Sequence, residues 1–188
     1  MVTIGRTTGF EWADEYCKYL NMLGISARKI TENDPDWIDH SIPGAWYRAR
    51  IGALKIDGRN IHQLDFLRVD GKGSTYFHHL FVVSTEVGEK AKNLKADWMT
   101  ANSLSFKRGP HEFVWKGGAL AESLNLDPVL NNVLTPYQRG IDIDADKNGR
   151  AVTILLTRET HPDYLPQNHF EAIDKIAEHI LKLFSLVP

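Results

Sequence analysis

The spacing of apolar residues changes along the chain from a helical period to an alternating one and back to a helical one. Between about Gly9 and Leu23, apolar residues recur at helical spacing, and Gly24 follows as a stop signal. This pattern predicts a first helix. A second helical pattern from about Asn168 to Phe184 predicts a closing helix with one apolar face. Both helices are amphipathic, so we expect each of them to pack against a sheet or another helix.

Between these helices, three runs rich in aromatic and branched residues predict an antiparallel meander. The runs cover residues 45–56, 61–69 and 75–84. Asp57-Gly58 is a tight-turn signal between the first two runs, and a glycine-rich stretch separates the second from the third. We therefore expect three neighbouring strands joined by short turns.

The later part of the chain adds further strand and helix patterns. Residues 111–115 predict a strand, and residues 119–134 predict helix that restarts at Pro128. Residues 141–146 and 151–157 predict a second hairpin. Together these elements predict an α+β fold: an antiparallel sheet built from a three-stranded meander plus a C-terminal hairpin, packed by N-terminal and C-terminal helices.

The chain has the size and composition of one folded domain. It has 188 residues, of which 43% are hydrophobic and 24% charged, which is typical of a globular protein. We expect a single domain over residues 1–188, with an N-terminal helix and a mobile acidic connection over 1–44 and a sheet-centred core over 45–188. The acidic, proline-containing part of the connection is residues 31–44.

Charge and cysteine content exclude several classes of protein. The formal net charge is -2, which argues against nucleic-acid binding driven by bulk positive charge. The one cysteine, Cys17, excludes an intramolecular disulfide and a cysteine-only zinc site. We expect a cytoplasmic protein without a signal peptide or membrane span. The alternative is that the chain is the soluble part of a longer anchored protein.

Missing motifs set the expectation for cofactors. The standard phosphate-loop and dinucleotide signatures do not occur in the sequence, and we expect no cofactor. We expect an unknown protein or small-molecule partner, and self-association through a sheet edge or the final helix stays open.

The order of several motifs resembles uncharacterised prokaryotic α+β domains. The resemblance rests on the sequence Ile-Asp-Gly-Arg at 56–59, on Leu-Asp-Phe at 64–66, and on the helical stretch 119–134 followed by a hairpin and a final helix. It covers the region from Trp46 to the end. It implies the α+β fold and a prokaryotic origin, and it implies no activity.

One face of the predicted meander carries a row of polar side chains. With short loops at both ends of the middle strand, Arg50, Asp65 and His79 become directly opposed, and Gln63 shares their face. In a functional interpretation, Asp65 orients His79 and Arg50 binds an anionic group, with Gln63 as a further binding residue. The alternatives are structural: a salt-bridged ladder on a half-exposed sheet face, or a polar network under a covering helix. A register slip of one residue would break the row.

The predicted C-terminal hairpin contains a partial calcium-loop motif. Asp144, Asp146, Asn148 and Gly149 match the first half of such a loop, in which oxygen ligands surround a tight glycine turn. The position that should hold a bidentate glutamate is Leu155. The alternative is an ordinary hairpin whose Asn-Gly turn follows an acidic strand end.

Two hypotheses for function follow from these patterns. The leading one is a non-enzymatic binding or scaffold protein that uses a sheet face or groove, with Trp37 and the acidic connection contributing to an interface. The alternative is an enzyme in which Asp65 and His79 form a general-base pair and Arg50 binds an anion.

Overall fold

The computed structural model describes eight segments of the chain. They are residues 9–43, 48–71, 74–85, 96–100, 113–134, 141–146, 149–157 and 164–185.

Four helices lie within these segments. They are α1 (Gly9–Met22), α2 (Ala119–Asn125), α3 (Pro128–Leu134) and α4 (Gln167–Ser185). Within the described segments, none of them is both long and apolar enough to cross a membrane.

Eight strands lie within the same segments. They are β1 (Ala27–Lys29), β2 (Arg48–Ile56), β3 (Gln63–Gly71), β4 (Ser74–Ser84), β5 (Ala96–Thr100), β6 (Phe113–Gly117), β7 (Ile141–Ala145) and β8 (Ala151–Thr157).

The strands form one antiparallel sheet with the order β1-β2-β3-β4-β8-β7-β5-β6. The α+β prediction is confirmed: β2, β3 and β4 are the meander, β7 and β8 are the C-terminal hairpin, and β4 joins them by pairing with β8. The sequence pattern misses β1 and β5. Strand β1 has three residues, which is too short to show an alternating pattern, and β5 lies in a weakly patterned stretch.

All four helices contribute to the core on one face of the sheet, here called the helix face. Aromatic and branched side chains of β3 and β4 pack there against the apolar sides of α1 and α4, and the side chains of the strands and of the helices in this contact are buried. The largest of these buried side chains are Tyr16, Leu20, Phe66, Phe81 and Phe170. The amphipathic patterns of the first and last helices therefore correspond to real packing surfaces.

A segment of irregular chain lies against the opposite face of the sheet. This segment, residues 31–43, is called the strap, and the sheet face beneath it the strap face. Ile42 of the strap packs against Leu67, Leu80 and Leu155, which form a small apolar cluster separate from the main core. The mobility of the acidic connection stays a prediction. The contacts of the strap are those of a segment that lies against the sheet.

Each edge strand of the sheet is capped by the side-chain amide of an asparagine. On β1, the Ala27 N–H donates to Asn21 Oδ1 over 3.2 Å, and Asn21 Nδ2 donates to the Ala27 carbonyl over 2.9 Å. On β6, the Trp115 N–H donates to Asn125 Oδ1 and Asn125 Nδ2 donates to the Trp115 carbonyl, both over 2.9 Å. At these two positions, an amide side chain takes the place of a neighbouring strand.

Candidate functional site

The predicted row of Arg50, Asp65 and His79 is wrong in its register. Asp65 lies opposite Leu80 on β4, and His79 lies opposite Phe66. The paired ends of β3 and β4 leave a two-residue loop, which shifts the pairing by one residue from the predicted one. A shift of one residue turns a side chain to the other face of a sheet. Asp65 therefore faces the strap, and His79 faces the helices.

His79 is part of the aromatic core. Its ring centroid lies 5.5 Å from that of Trp12, 5.3 Å from that of Tyr16 and 5.7 Å from that of Phe66. Its exposed fraction is 1%. The predicted general-base pair of Asp65 and His79 is therefore not formed.

Arg50 and Asp65 still meet, although they are not directly opposed. The β2–β3 connection is longer than the predicted tight turn at Asp57-Gly58, so Ala53 lies opposite Asp65. A bulge between Arg50 and Gly52 then shifts the pairing by one residue, and Arg50 lies opposite Leu67. Arg50 and Asp65 thus become diagonal neighbours on the strap face, within reach of a long side chain. The Nε–H of Arg50 donates to Asp65 Oδ2 over 2.5 Å.

The Asp65 carboxylate is at the centre of a buried polar cluster. Its Oδ2 also lies 3.0 Å from His40 Nε2, and its Oδ1 accepts a hydrogen bond from Gln63 Nε2 over 2.8 Å. The side chains of His40 and Asp65 have no exposed surface. We call His40, Arg50, Gln63 and Asp65 the Asp65 cluster. Its carboxylate has polar partners on both oxygens, as a buried charge requires.

The Asp65 cluster and a second carboxylate hold the strap on the sheet. The Ile38 N–H donates to Gln63 Oε1 over 3.0 Å. Further along the strap, the backbone N–H and hydroxyl of Ser41 donate to Asp146 Oδ1 over 2.7 and 2.5 Å. The strap is thus fixed at two places by side chains that belong to the sheet and its hairpin.

Trp37 and Arg50, both predicted binding residues, are in direct contact. The Arg50 guanidinium carbon lies 4.5 Å from the centroid of the Trp37 ring, in a cation–π arrangement. Arg50 Nη1 is also 3.5 Å from Glu32 Oε1, and the Glu32 side chain is 77% exposed. The guanidinium therefore extends from the buried Asp65 to the outer surface of the strap.

The calcium-loop residues are arranged as a hairpin end. Asp144 is exposed and accepts a hydrogen bond from the Ala145 N–H, whereas Asp146 is 5% exposed and holds Ser41. Asn148 lies outside the described residues, and Gly149 has the positive φ of 67° that the turn requires. Among the described residues, no three acidic, histidine or cysteine side chains are grouped as a metal site would need.

Two residues of the site, His40 and Ser41, were missed by the sequence analysis. Both lie in the strap, where no helix or strand pattern of usual length is present. The alternation of Ile38, His40 and Ile42 with polar residues is a weak extended-chain signal. It shows which strap residues share a side, but it cannot identify Asp65 as the partner of His40.

One further histidine of the strap face has a perturbed charge state. His78 lies opposite Leu67 on β3 and is 8% exposed. Burial, together with the nearby charge of Arg48, lowers the pKa of His78 to about 4. The strap face therefore holds a neutral imidazole at neutral pH.

Comparison with known proteins finds no relative of this chain. No family model matches the chain, and no curated protein and no solved structure matches it.

Proposed function

We propose that the protein is a binding or scaffold domain that presents the outer surface of the strap to a partner. The observation that carries this proposal is that the side chains of the Asp65 cluster are bonded to one another and to the strap. Its carboxylate contacts Arg50, His40 and Gln63 and has no exposed surface. Such a group is suited to hold the strap in position, and the surface left for a partner is the strap itself.

Charge on the strap favours a basic partner. The side chains of Glu32 and Asp36 are 77% and 50% exposed, and Asp39 is exposed as well. The strap contains no lysine or arginine. Complementary charge increases the rate and the specificity of association. We therefore propose a protein or peptide partner with lysine or arginine side chains on its contact surface.

The strap is shaped before any partner arrives. Arg28 donates to both Asp34 and Asp36, and the Asp36 N–H donates to Asp34 Oδ1 over 3.0 Å. These contacts fix the turn that carries the exposed carboxylates. A surface that is already ordered loses less conformational entropy on binding.

The alternative hypothesis of a general-base enzyme loses its catalytic pair. Asp65 and His79 lie on opposite faces of the sheet, so no proton can pass directly between them. We therefore do not propose turnover at the strap face.

The proposal can be tested with a fluorescein-labelled peptide of alternating lysine and serine, measured by fluorescence anisotropy. A peptide of alternating glutamate and serine serves as the control ligand. We compare the wild-type protein with the double variant Glu32→Gln/Asp39→Asn. The matched control is Asp57→Asn/Asp144→Asn, which changes the net charge equally at exposed positions outside the strap.

We expect the lysine peptide to bind the wild-type protein more weakly as salt is raised, because salt screens exposed charges. The strap variant should weaken binding about three- to tenfold, since each exposed charge contributes up to about 1 kcal/mol. The control variant should bind as the wild type does. Absence of binding to the lysine peptide, or an equal loss in both variants, would overturn the proposal.

A further inference from the structure

A second polar cluster lies among the helices, and the strap does not contribute to it. Ser123 is on α2, Asp127 directly precedes α3, and His179 is on α4. Ser123 Oγ lies 2.8 Å from His179 Nδ1, and His179 Nε2 lies 3.2 Å from Asp127 Oδ2. A hydroxyl, an imidazole and a carboxylate are thus connected in that order.

The direction of the hydrogen bonds in this cluster follows from the carboxylate. The backbone N–H of Leu130, and then the His179 ring, lower the pKa of the Asp127 carboxyl. Ionised Asp127 can only accept hydrogen bonds, so His179 Nε2 must carry a hydrogen and donate it. In the neutral ring, Nδ1 is then left to accept the hydroxyl hydrogen of Ser123. This is the arrangement that activates a serine as a nucleophile.

The cluster is partly open to solvent and has apolar neighbours. The His179 and Asp127 side chains are 14% and 16% exposed, and Ser123 is half-buried. Leu126 directly precedes Asp127 and Val129 lies two residues after it, and the two side chains are 83% and 74% exposed. Leu126 is one turn from the serine, because its N–H donates to the Ser123 carbonyl. An apolar group that approaches the hydroxyl would find apolar surface beside it.

We propose that Ser123 is a nucleophile that takes the acyl group of a hydrophobic carboxylic ester, with His179 as its base and Asp127 as the residue that positions the imidazole. This activity goes beyond the proposed binding function and uses none of its residues. The apolar side chains of Leu126 and Val129 would contact the acyl chain.

The chemistry needs only the ester and water. Ser123 Oγ bonds to the carbonyl carbon while its proton passes to His179 Nδ1. The bond from the carbonyl carbon to the leaving alcohol breaks, and the alcohol takes that proton from Nδ1. Water then attacks the acyl-serine, the free acid leaves, and the Ser123 hydroxyl is restored. Asp127 stabilises the charge on the imidazole throughout.

The test uses p-nitrophenyl butyrate as the probe, with release of p-nitrophenol and intact mass as readouts. The variants are Ser123→Ala, His179→Gln and Asp127→Asn, and the control is Ser26→Ala. Ser26 is an exposed serine just before β1. Asparagine at position 127 can still accept the Leu130 N–H and cap α3, so it separates a positioning role from a purely structural one.

For the wild-type protein and Ser26→Ala, we expect release of p-nitrophenol and one butyryl group on Ser123. Ser123→Ala should lose the label, and His179→Gln should slow release about a hundredfold or more, as expected for loss of a general base. Asp127→Asn should slow release while the denaturation midpoint stays near that of the wild type.

Three results would overturn the proposal. They are a wild-type protein that neither releases p-nitrophenol nor carries butyryl on Ser123, release that survives in Ser123→Ala, and variants at His179 or Asp127 that lose stability without losing rate. In those cases the cluster only ties the three helices together. The peptide-binding experiment on the strap is unaffected by any of these outcomes, so the two proposals fail independently.

Discussion

Replacing Asp65 by alanine should destabilise the protein strongly, because the carboxylate is the common partner of three other side chains. Arg50, His40 and Gln63 all contact it, and its side chain has no exposed surface. Removing one member of a buried ion pair costs about 3–5 kcal/mol, since the other charge stays behind without its partner. Arg50 is 17% exposed and keeps a contact to Glu32 at 3.5 Å, which reduces this cost. We expect about 3 kcal/mol.

Asp70 offers a matched control on the same strand. It pairs with Arg68 at 2.9 Å, as Asp65 pairs with Arg50, but the two side chains are 61% and 51% exposed. An exposed pair contributes between zero and about 1 kcal/mol. Asp70→Ala therefore removes the same chemical group from β3 without leaving a buried charge.

Urea denaturation of the two variants, followed by tryptophan fluorescence and circular dichroism, measures this difference. With a slope of about 2–3 kcal/mol per molar urea, Asp65→Ala should lower the midpoint by about 1 M or more. Asp70→Ala should change it by less than about 0.5 M. Equal shifts in the two variants would contradict this expectation, because burial of the Asp65 cluster would then have no energetic consequence.

Three further predictions concern the strap face and the sheet edge. Folding lowers the pKa of His78 to about 4, so as the pH falls the unfolded chain takes up a proton on this histidine before the folded protein does. The free energy of unfolding should therefore fall by about 2 kcal/mol as the pH drops from 6.5 to 4. Denaturation curves of His78→Gln should show less of this loss. Asp146→Ala should speed amide hydrogen exchange in residues 38–43, measured by mass spectrometry, whereas Asp144→Ala should not. Asn125→Ala should increase self-association in sedimentation velocity relative to the exposed-surface control Asn132→Ala, and equal behaviour of the two would contradict the capping argument.

The helices and the meander could be predicted because their signals are local. The amphipathic spacing around Tyr16 and Leu20, and that of the closing helix, repeats over several turns, and the meander strands have long runs of branched and aromatic residues. Such patterns survive an error of one or two residues at an element's end. The α+β class and the sheet type follow from them.

The register of the meander could not be predicted, because it depends on single residues. The two-residue β3–β4 loop decides which face His79 occupies, and the bulge after Arg50 decides which face Arg50 occupies. Neither feature changes the apolar pattern, and both move a side chain from one face to the other. The contact between Arg50 and Asp65 was anticipated, but through a direct pairing around a two-residue Asp57-Gly58 loop. The connection is longer, so Ala53 lies opposite Asp65, and the bulge then brings Arg50 to a diagonal position.

The role of the strap could not be predicted either, because its partners are distant in sequence. His40 meets Asp65 across 25 positions, and Ser41 meets Asp146 across 105. Propensity and periodicity describe neighbours along the chain, so they carry no information on such pairs. A charged, proline-containing segment then has the same local pattern whether it lies in solvent or on a sheet.

The contact between Ser41 and Asp146 also bears on the order in which the protein folds. Ser41 is synthesised before Asp146, which directly follows β7, and β7 pairs with both β5 and β8. Closing a loop of 105 positions costs chain entropy that local contacts do not. The strap is therefore synthesised before the hairpin that holds it, and we expect it to reach its final position late in folding.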